Sequence, residues 1–470
     1  MKTNSKCKSS FTIPDPFNKT SEILIMAAGG SGMNVLAQHL LSQGLSVSGM
    51  DRDFDRGWKE RIRSCLHSLG MTIVREDGDL PDKAFDLILV SPAVEKAHPV
   101  LGYARERKIP VQTRSEFLVS IFNHSKGMGI SGTSGKTTVT GMLASICHYQ
   151  DRPKPVVFCG DEILNFSSPI RLGNYLPGDS KEMILELDES DGLLPSYQPY
   201  LSCITNIQRD HYSVEELEGL FVKLTKNSGK TVVNVDCPVS RKIAENFSDK
   251  IIRVSLTDPE VNYYGKLLKV GENEIRYSIN DYAGILPISG SYNVKNALMA
   301  IAMACENGIP LKAAVQALES FKGIRNRFEI KKKGKSFFIL DFAHNPEKIR
   351  ASLNSAQEMG LPVYYVFQPH GYNPLKFMMK EFGDMFRQEL REDDRLILLK
   401  IYDAGGTADR SVHSRDLLQL INRKNVSYME DWDEMIQLSS SLKNIPLCWV
   451  VAGARDEKLK DLRDGIMGIS

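Results

Sequence analysis

Residues 127–150, GMGISGTSGKTTVTGMLASICHYQ, place a short apolar run, a small-residue turn and a long helical pattern end to end. A buried strand that feeds a helix through a glycine turn belongs in an open, mostly parallel α/β sheet, with the turn at the strand's carboxyl end. Gly132 and Gly135 let backbone N–H groups turn inward, Lys136 brings a positive charge to a phosphate, and Thr137 offers a hydroxyl that can bind Mg²⁺. The helix is predicted from Lys136 onward. The spelling departs from the usual phosphate loop, which wants a glycine where this chain has Ile130. The stretch still reads as an ATP-type phosphate site made of Gly132, Thr133, Ser134, Gly135, Lys136, Thr137 and Thr138.

An earlier stretch, LIMAAGGSGMNVLAQHLLSQGLSVSGMD, repeats the device. A strand ends at Ala27-Ala28, the turn Gly29, Gly30, Ser31, Gly32 enters a helix, and a second strand ends at Asp51. This nearly matches the dinucleotide fingerprint, with Ala27 in place of the first glycine. Physically it is a backbone-amide cup at a helix N-terminus, suited to a pyrophosphate; NAD, FAD or a nucleotide sugar would each satisfy it. Further apolar runs alternate with helical patterns, and a third set starts near SFFILDFAHNP and runs to LCWVVAGARD. Boundaries are predicted near residues 125 and 325. They give a polar extension over 1–20 and domains over 21–125, 126–325 and 326–470.

Composition excludes several classes. With 42% hydrophobic and 25% charged residues and a net charge of +1, nothing marks a nucleic-acid or membrane surface. No apolar run approaches the roughly 20 residues of a membrane span, and the basic N-terminus has no apolar core of a secretory signal. The eight cysteines are scattered without a C-x-x-C pair, as expected of reduced core thiols in a cytoplasmic protein. The partners expected are small molecules, and no feature fixes the oligomeric state.

Two chemical clusters come after the phosphate loop. MILELDESDG gathers Glu186, Asp188, Glu189 and Asp191, and CITNIQRDH ends in Asp210 and His211. Carboxylates at strand ends beside a phosphate loop are where Mg²⁺ is held in open α/β sheets.

GTSGKTT, ELDESDG, NIQRDH, GSYNVKNALMAIA, RNRFE and DFAHNP occur in the order found in the Mur ligases, and the chain resembles that family from residue 21 to about 456. The first glycine cup, VSPAVEKAHP, IPVQTRSEFL, FQPHGY and AGGTADRSVHSRDL resemble the branch that joins L-alanine to UDP-N-acetylmuramate, together with its murein-tripeptide-recycling relative. The resemblance implies a Rossmann-like N-terminal domain that binds a UDP-sugar, a central phosphate-loop ATPase domain and a Rossmann-like C-terminal domain. It implies ATP and Mg²⁺ as cofactors in a carboxylate–amine ligation through an acyl phosphate. By position, Lys136 contacts the ATP phosphates, Thr137 and Glu186 hold one Mg²⁺ and His211 helps hold a second. Asn293 and Asn296 match the adenine-side asparagines. Arg327 and Asp341 match further ATP contacts, and His344 is a catalytic candidate beside them.

Two departures stand out. The branch reads Gln-Pro-His-Arg-Tyr-x-Arg where this chain has Gly371 and Pro374 at the arginine positions, with Lys376 and Arg410 as nearby cations in sequence. Its Asp-Tyr-x-His-His is Asp341-Phe342-Ala343-His344-Asn345 here. The implied alternative is a Mur-like ligase with a different acceptor. An NAD oxidoreductase would leave the second phosphate loop without a role, and the joint presence of Lys136, Glu186 and His211 argues against a regulator that has lost ligation.

Overall fold

The computed structural model describes residues 21–76, 80, 84–92, 94–209, 212–403, 409–454, 456 and 458–468. The first sheet carries β1 (Glu22–Met26), β2 (Ser46–Met50), β3 (Thr72–Ile73), β4 (Leu87–Val90) and β5 (Val111–Thr113) in the order β3-β2-β1-β4-β5, all parallel. The chain order reverses between β1 and β4, which opens a crevice at their carboxyl ends.

The second sheet has ten strands: β6 (Lys126–Ser131), β7 (Val156–Phe158), β8 (Tyr175–Leu176), β9 (Glu182–Glu186), β10 (Leu201–Ile204), β11 (Lys230–Asn234), β12 (Ile251–Ser255), β13 (Tyr263–Val270), β14 (Ile275–Ile279) and β15 (Tyr282–Leu286). Their order is β15-β14-β13-β12-β11-β10-β6-β9-β7-β8, so the phosphate-loop strand β6 lies between β10 and β9. Strands covered on both faces read as unbroken apolar runs, which is why β6 and β9–β11 are legible in sequence. By contrast, β13 reads YYGKLLKV and turns several side chains to solvent, so no such run announces it.

The third sheet holds β16 (Glu329–Lys333), β17 (Ser336–Asp341), β18 (Val363–Phe367), β19 (Arg395–Leu398), β20 (Val426–Tyr428) and β21 (Cys448–Ala452) in the order β16-β17-β21-β18-β19-β20. Its one antiparallel member is the edge strand β16, whose EIKKK sequence keeps that edge charged.

The chain folds into two compact units. One comprises Met1–Lys266, Tyr277–Leu286 and Lys295–Ile324; the other comprises Leu267–Arg276, Pro287–Val294 and Arg325–Ser470. The first two sheets share the first unit because one apolar core runs through both, from Ile23, Leu36 and Leu89 to Phe158, Leu185 and Ile204. A buried polar seam adds to it. Gln38 Nε2 donates to Asn174 Oδ1 (3.0 Å), Asn174 Nδ2 donates to Asn34 Oδ1 (2.7 Å), and His39 Nδ1 meets the Tyr175 hydroxyl (3.2 Å). At its rim Arg61 grips Glu162 with both Nη atoms, at 2.5 and 2.9 Å.

Among the described residues no helix is long and apolar enough to cross a membrane. The described cysteines are free thiols.

Candidate active site

β6 ends at Ser131, and the helix Lys136–Tyr149 begins where the sequence places it. Gly132 has φ +120°, and a Cβ there would run into Thr205 Oγ1 and the Asn206 carbonyl, so no other residue fits. The loop is braced from the β10 side. Asn206 accepts at its backbone oxygen from Thr133 N (3.0 Å) and at Oδ1 from Ser134 N (3.1 Å), while its Nδ2 donates to Ser134 O (3.0 Å). Thr205 Oγ1 also donates to Ser134 O (2.7 Å). Both residues lie in CITNIQRDH, and Asn206 opens the family-like NIQRDH, but sequence reasoning gives neither Thr205 nor Asn206 a role. Ser134 Oγ is buried without a hydrogen-bond partner, which fits a loop shaped to receive phosphate oxygens.

Thr137 and Thr138 stand in the first turn of the helix. Asn296, in the helix Asn293–Glu306, comes to the same loop: its Oδ1 lies 2.6 Å from where a Cβ on Gly135 would be. Asn293 Nδ2 donates to Ser289 O (2.8 Å).

The four acids of the ELDESD stretch turn to different hydrogen-bond partners. Glu186, at the end of β9, accepts from Thr137 Oγ1 (3.1 Å) and Gly160 N (2.9 Å). Asp188 meets Arg114 Nη2 (3.4 Å) and accepts from Ser190 N (3.0 Å). Glu189 takes the Lys136 ammonium at 3.1 and 2.7 Å, and Lys136 Nζ also donates to Gly132 O (2.7 Å). Asp191 accepts from Leu193 N (3.0 Å), within its own turn. Burial alone would lower the Lys136 pKa, but Glu189, Asp188 and Glu186 together hold it above its ordinary value, so the ammonium stays charged. Among the described residues no group of three or more His, Cys, Asp or Glu converges as a metal site. The Thr137–Glu186 pair does present two hard oxygens, a set suited to Mg²⁺, which takes one or two carboxylates and completes its shell with phosphates and water. Asp210 and His211 lie outside the described residues.

In the other glycine turn, Ala27 stands where the fingerprint has glycine and still adopts the left-handed backbone, at φ +57°. That conformation costs an alanine about 1–2 kcal/mol, so the turn is imposed by its surroundings. Asp51 is one of them: its Oδ2 accepts from Gly29 N (2.8 Å) and its Oδ1 from Asp53 N (2.8 Å). Gly30 N is spent on Ala27 O (3.0 Å). The donors left at the mouth are those of Ser31 and Gly32, in the first turn of the helix Ser31–Ser42. The four-residue cup expected from the sequence thus narrows to two amides, with Asp51 as its brace.

In the second unit, Asn326 and Phe328 both take positive φ, +58° and +50°, which is strained for a phenylalanine. The turn is tied to β17 by Phe328 N donating to Asp341 Oδ1 (3.1 Å) and Phe342 N donating to Asn326 O (2.9 Å). Arg327 lies over the Phe342 ring, 4.4 Å from its centroid, so the ring that replaces the family's tyrosine still supports a cation. Burial pushes the Asp341 carboxyl up, against the opposing pull of Arg327. His344 Nδ1 donates to Phe342 O (2.8 Å), which leaves Nε2 to accept from Lys348 Nζ (3.2 Å). Burial and then Lys348 drive its pKa well below 6.5. The ring is neutral, with both nitrogens engaged.

Gly371 sits at φ +154° and ψ 158°, in the region that essentially only glycine occupies. Lys376 is paired with Asp409 (2.6 Å) and Arg410 with Asp403 (2.8 Å).

Three family patterns cover this architecture: "Mur ligase family, catalytic domain" over 22–126, "Mur ligase middle domain" over 130–304 and "Mur ligase, glutamate ligase domain" over 326–455. The chain belongs to the Mur ligase family. This Mur ligase is similar to the UDP-N-acetylmuramate–L-alanine ligase of Persephonella marina, 32% identical with 91% of this chain and 92% of the relative covered. To the enzyme of that name from Fusobacterium nucleatum it is 27% identical, with 93% and 94% covered. In fold it matches the crystal structure of the UDP-N-acetylmuramate–alanine ligase of Thermotoga maritima, with a TM-score of 0.76 at 23% identity over 95% of this chain and 98% of that one.

Proposed function

We propose that this Mur ligase joins an amino acid to UDP-N-acetylmuramate, with ATP as the second substrate and Mg²⁺ as cofactor, in the cytoplasm as a step of peptidoglycan precursor synthesis. The observation that supports it most is the pairing, within one unit, of a braced phosphate loop and a separate glycine cup at the switch point of its own sheet. The names of the relatives point to the same substrates.

In this reading the sugar nucleotide's carboxylate attacks the γ-phosphorus of ATP, ADP leaves, and the amine displaces phosphate from the acyl phosphate. The amides of Gly132–Thr138 and the Lys136 ammonium hold the phosphates and offset the charge that develops on them. Thr137 and Glu186 would hold Mg²⁺, which neutralises charge on the transferring phosphoryl group. Asn296, at the phosphate loop, takes the adenine side; for Asn293, Arg327 and Asp341 the family resemblance implies ATP roles, and His344 positions Lys348. The Ser31 and Gly32 amides form the sugar-nucleotide cup, on a turn shaped by Gly29 and Gly30 and braced by Asp51.

Glu186→Gln removes the charge; its Oε1 can still accept from Gly160 N, while its amide must donate to Thr137 Oγ1 where the carboxylate accepted. Turnover is expected to fall about 10²-fold and to recover in part at high Mg²⁺. An unaltered Mg²⁺ dependence would leave the carboxylate as a support of the loop alone.

The amine is a separate question, because a specific observation favours an acceptor other than free L-alanine. Two arginines that would clamp a small carboxylate are Gly371 and Pro374. Each lost charge-assisted contact is worth about 1.5–3 kcal/mol, or roughly tenfold or more in affinity. Gly371→Arg cannot simply restore the clamp, since an arginine is strained by about 1–3 kcal/mol at this φ. Phosphate release with ATP, Mg²⁺, UDP-N-acetylmuramate and a panel of amino acids and peptides is expected to show a high KM for L-alanine and better use of a bulkier or differently charged amine. A submillimolar KM for L-alanine would show that another cation anchors its carboxylate.

A further inference from the structure

We infer that Arg114 is a diphosphate-binding residue of the sugar-nucleotide cup, held ready between that cup and the acidic loop of the ATP site. The inference rests on the reading of the cup as a UDP-sugar site. Arg114 opens the helix Arg114–Asn123, directly after β5, and a capping box between Thr113 and Glu116 fixes the end that carries it. From there the side chain crosses to the first turn of the helix Ser31–Ser42. It packs so closely on Gly32 that a Cβ at that position would overlap Nη1 and stand 2.8 Å from Cδ.

A guanidinium on a helix N-terminus opposes the helix macrodipole, since both are positive. The placement becomes favourable when an anion lies between the cation and the Ser31 and Gly32 amides. Two further facts point the same way. Arg114 Nε is buried and has no hydrogen-bond partner. The ion pair with Asp188 is a long one, at 3.4 Å, with a carboxylate whose side chain is 43% exposed. Such a pair restrains the fork without consuming it, and a fork is the group that suits two phosphate oxygens at once.

The test is calorimetric titration of the full chain with UDP-N-acetylmuramate, comparing wild type, Arg114→Gln and Asp188→Asn. Arg114→Gln is expected to bind about 10- to 100-fold more weakly, with its affinity for ATP and its melting temperature unchanged. Asp188→Asn releases the guanidinium and is expected to bind at least as tightly as wild type. Were Arg114 merely the structural partner of Asp188, the two variants would lose affinity together, and that result overturns the inference. So does an Arg114→Gln protein that binds like wild type. If the glutamine variant does not fold, Arg114→Lys is read instead; it keeps the charge but not the fork, and a loss of about tenfold is expected, with equal binding overturning the inference. A wild-type protein that takes no UDP-N-acetylmuramate overturns the assignment of the cup itself, and Arg114 with it.

Discussion

Lys136→Met is expected to lower ADP formation by about 10²–10³-fold or more, because it removes a fixed positive charge from the developing phosphoryl charge. It should also destabilise the protein. Lys136 and Glu189 form a buried pair, with side chains 13% and 3% exposed, and stripping the lysine leaves a buried carboxylate with no other cation paired to it among the described residues. Breaking such a pair costs about 3–5 kcal/mol. The double variant Lys136→Met/Glu189→Gln should therefore recover most of the melting temperature while remaining inactive. Thermal melts run beside a coupled ADP assay separate the two effects. Turnover at wild-type rate in either variant would remove Lys136 from the phosphate site; equal melting temperatures for the single and double variants would mean that Glu189 finds another partner.

Acid should unfold the protein through its buried histidines. Burial pushes His39 down to about 3, and burial with Lys154 pushes His148 down to about 4. Both folded values lie below the ordinary value near 6.5, so as pH falls the unfolded chain takes up protons before the native one. Their contribution is complete above about pH 6.5 and is lost as pH falls below it. The loss runs at up to about 1.4 kcal/mol per pH unit for each histidine, and levels off near 4 for His148 and near 3 for His39. Because His39 lies in the seam between the first two sheets, its protonation should loosen that seam first. His39→Gln, which cannot take the proton, should flatten the slope of melting temperature between pH 6.5 and 4 by about one proton's worth. An unchanged slope would assign the acid sensitivity elsewhere.

How much of this molecule is legible in its sequence depends on how local each signal is. The phosphate loop and the glycine cup are continuous stretches in which strand, turn and helix must cooperate, so GTSGKTT and AAGGSG declare themselves. The central parallel strands do so as apolar runs. Short edge strands such as β3 and β8, two residues each, carry too few side chains for any period to appear. β12 to β15 escape a reading by apolar runs as well; in β13 an exposed face masks the strand. At the site, the amides of Gly132–Thr138 are legible because the chain itself builds them, whereas the partners that set their chemistry come from far along it. Lys136 is 53 residues from Glu189, Ser134 is 72 from Asn206, and Arg114 is 74 from Asp188. The DESD stretch shows the limit most plainly. Its acids look like one cluster in the sequence, yet each is turned by the backbone toward a different partner.

The interleaving of the two units bears on how a relative of this chain could be engineered. Segments 267–276 and 287–294 precede residue 325 in the chain but fold with the residues beyond it. They are not ornaments there: Glu272, Ser289 and Gly290 form one wall of a cavity of about 420 Å³ whose other wall is Lys332, Phe337 and Glu358. A chimera joined at residue 325, the natural place to cut by eye, would give the incoming C-terminal half a foreign hairpin tip and a foreign approach to the helix Asn293–Glu306. Exchange of amine specificity between members of this family by swapping that half would therefore have to carry both short segments along with it.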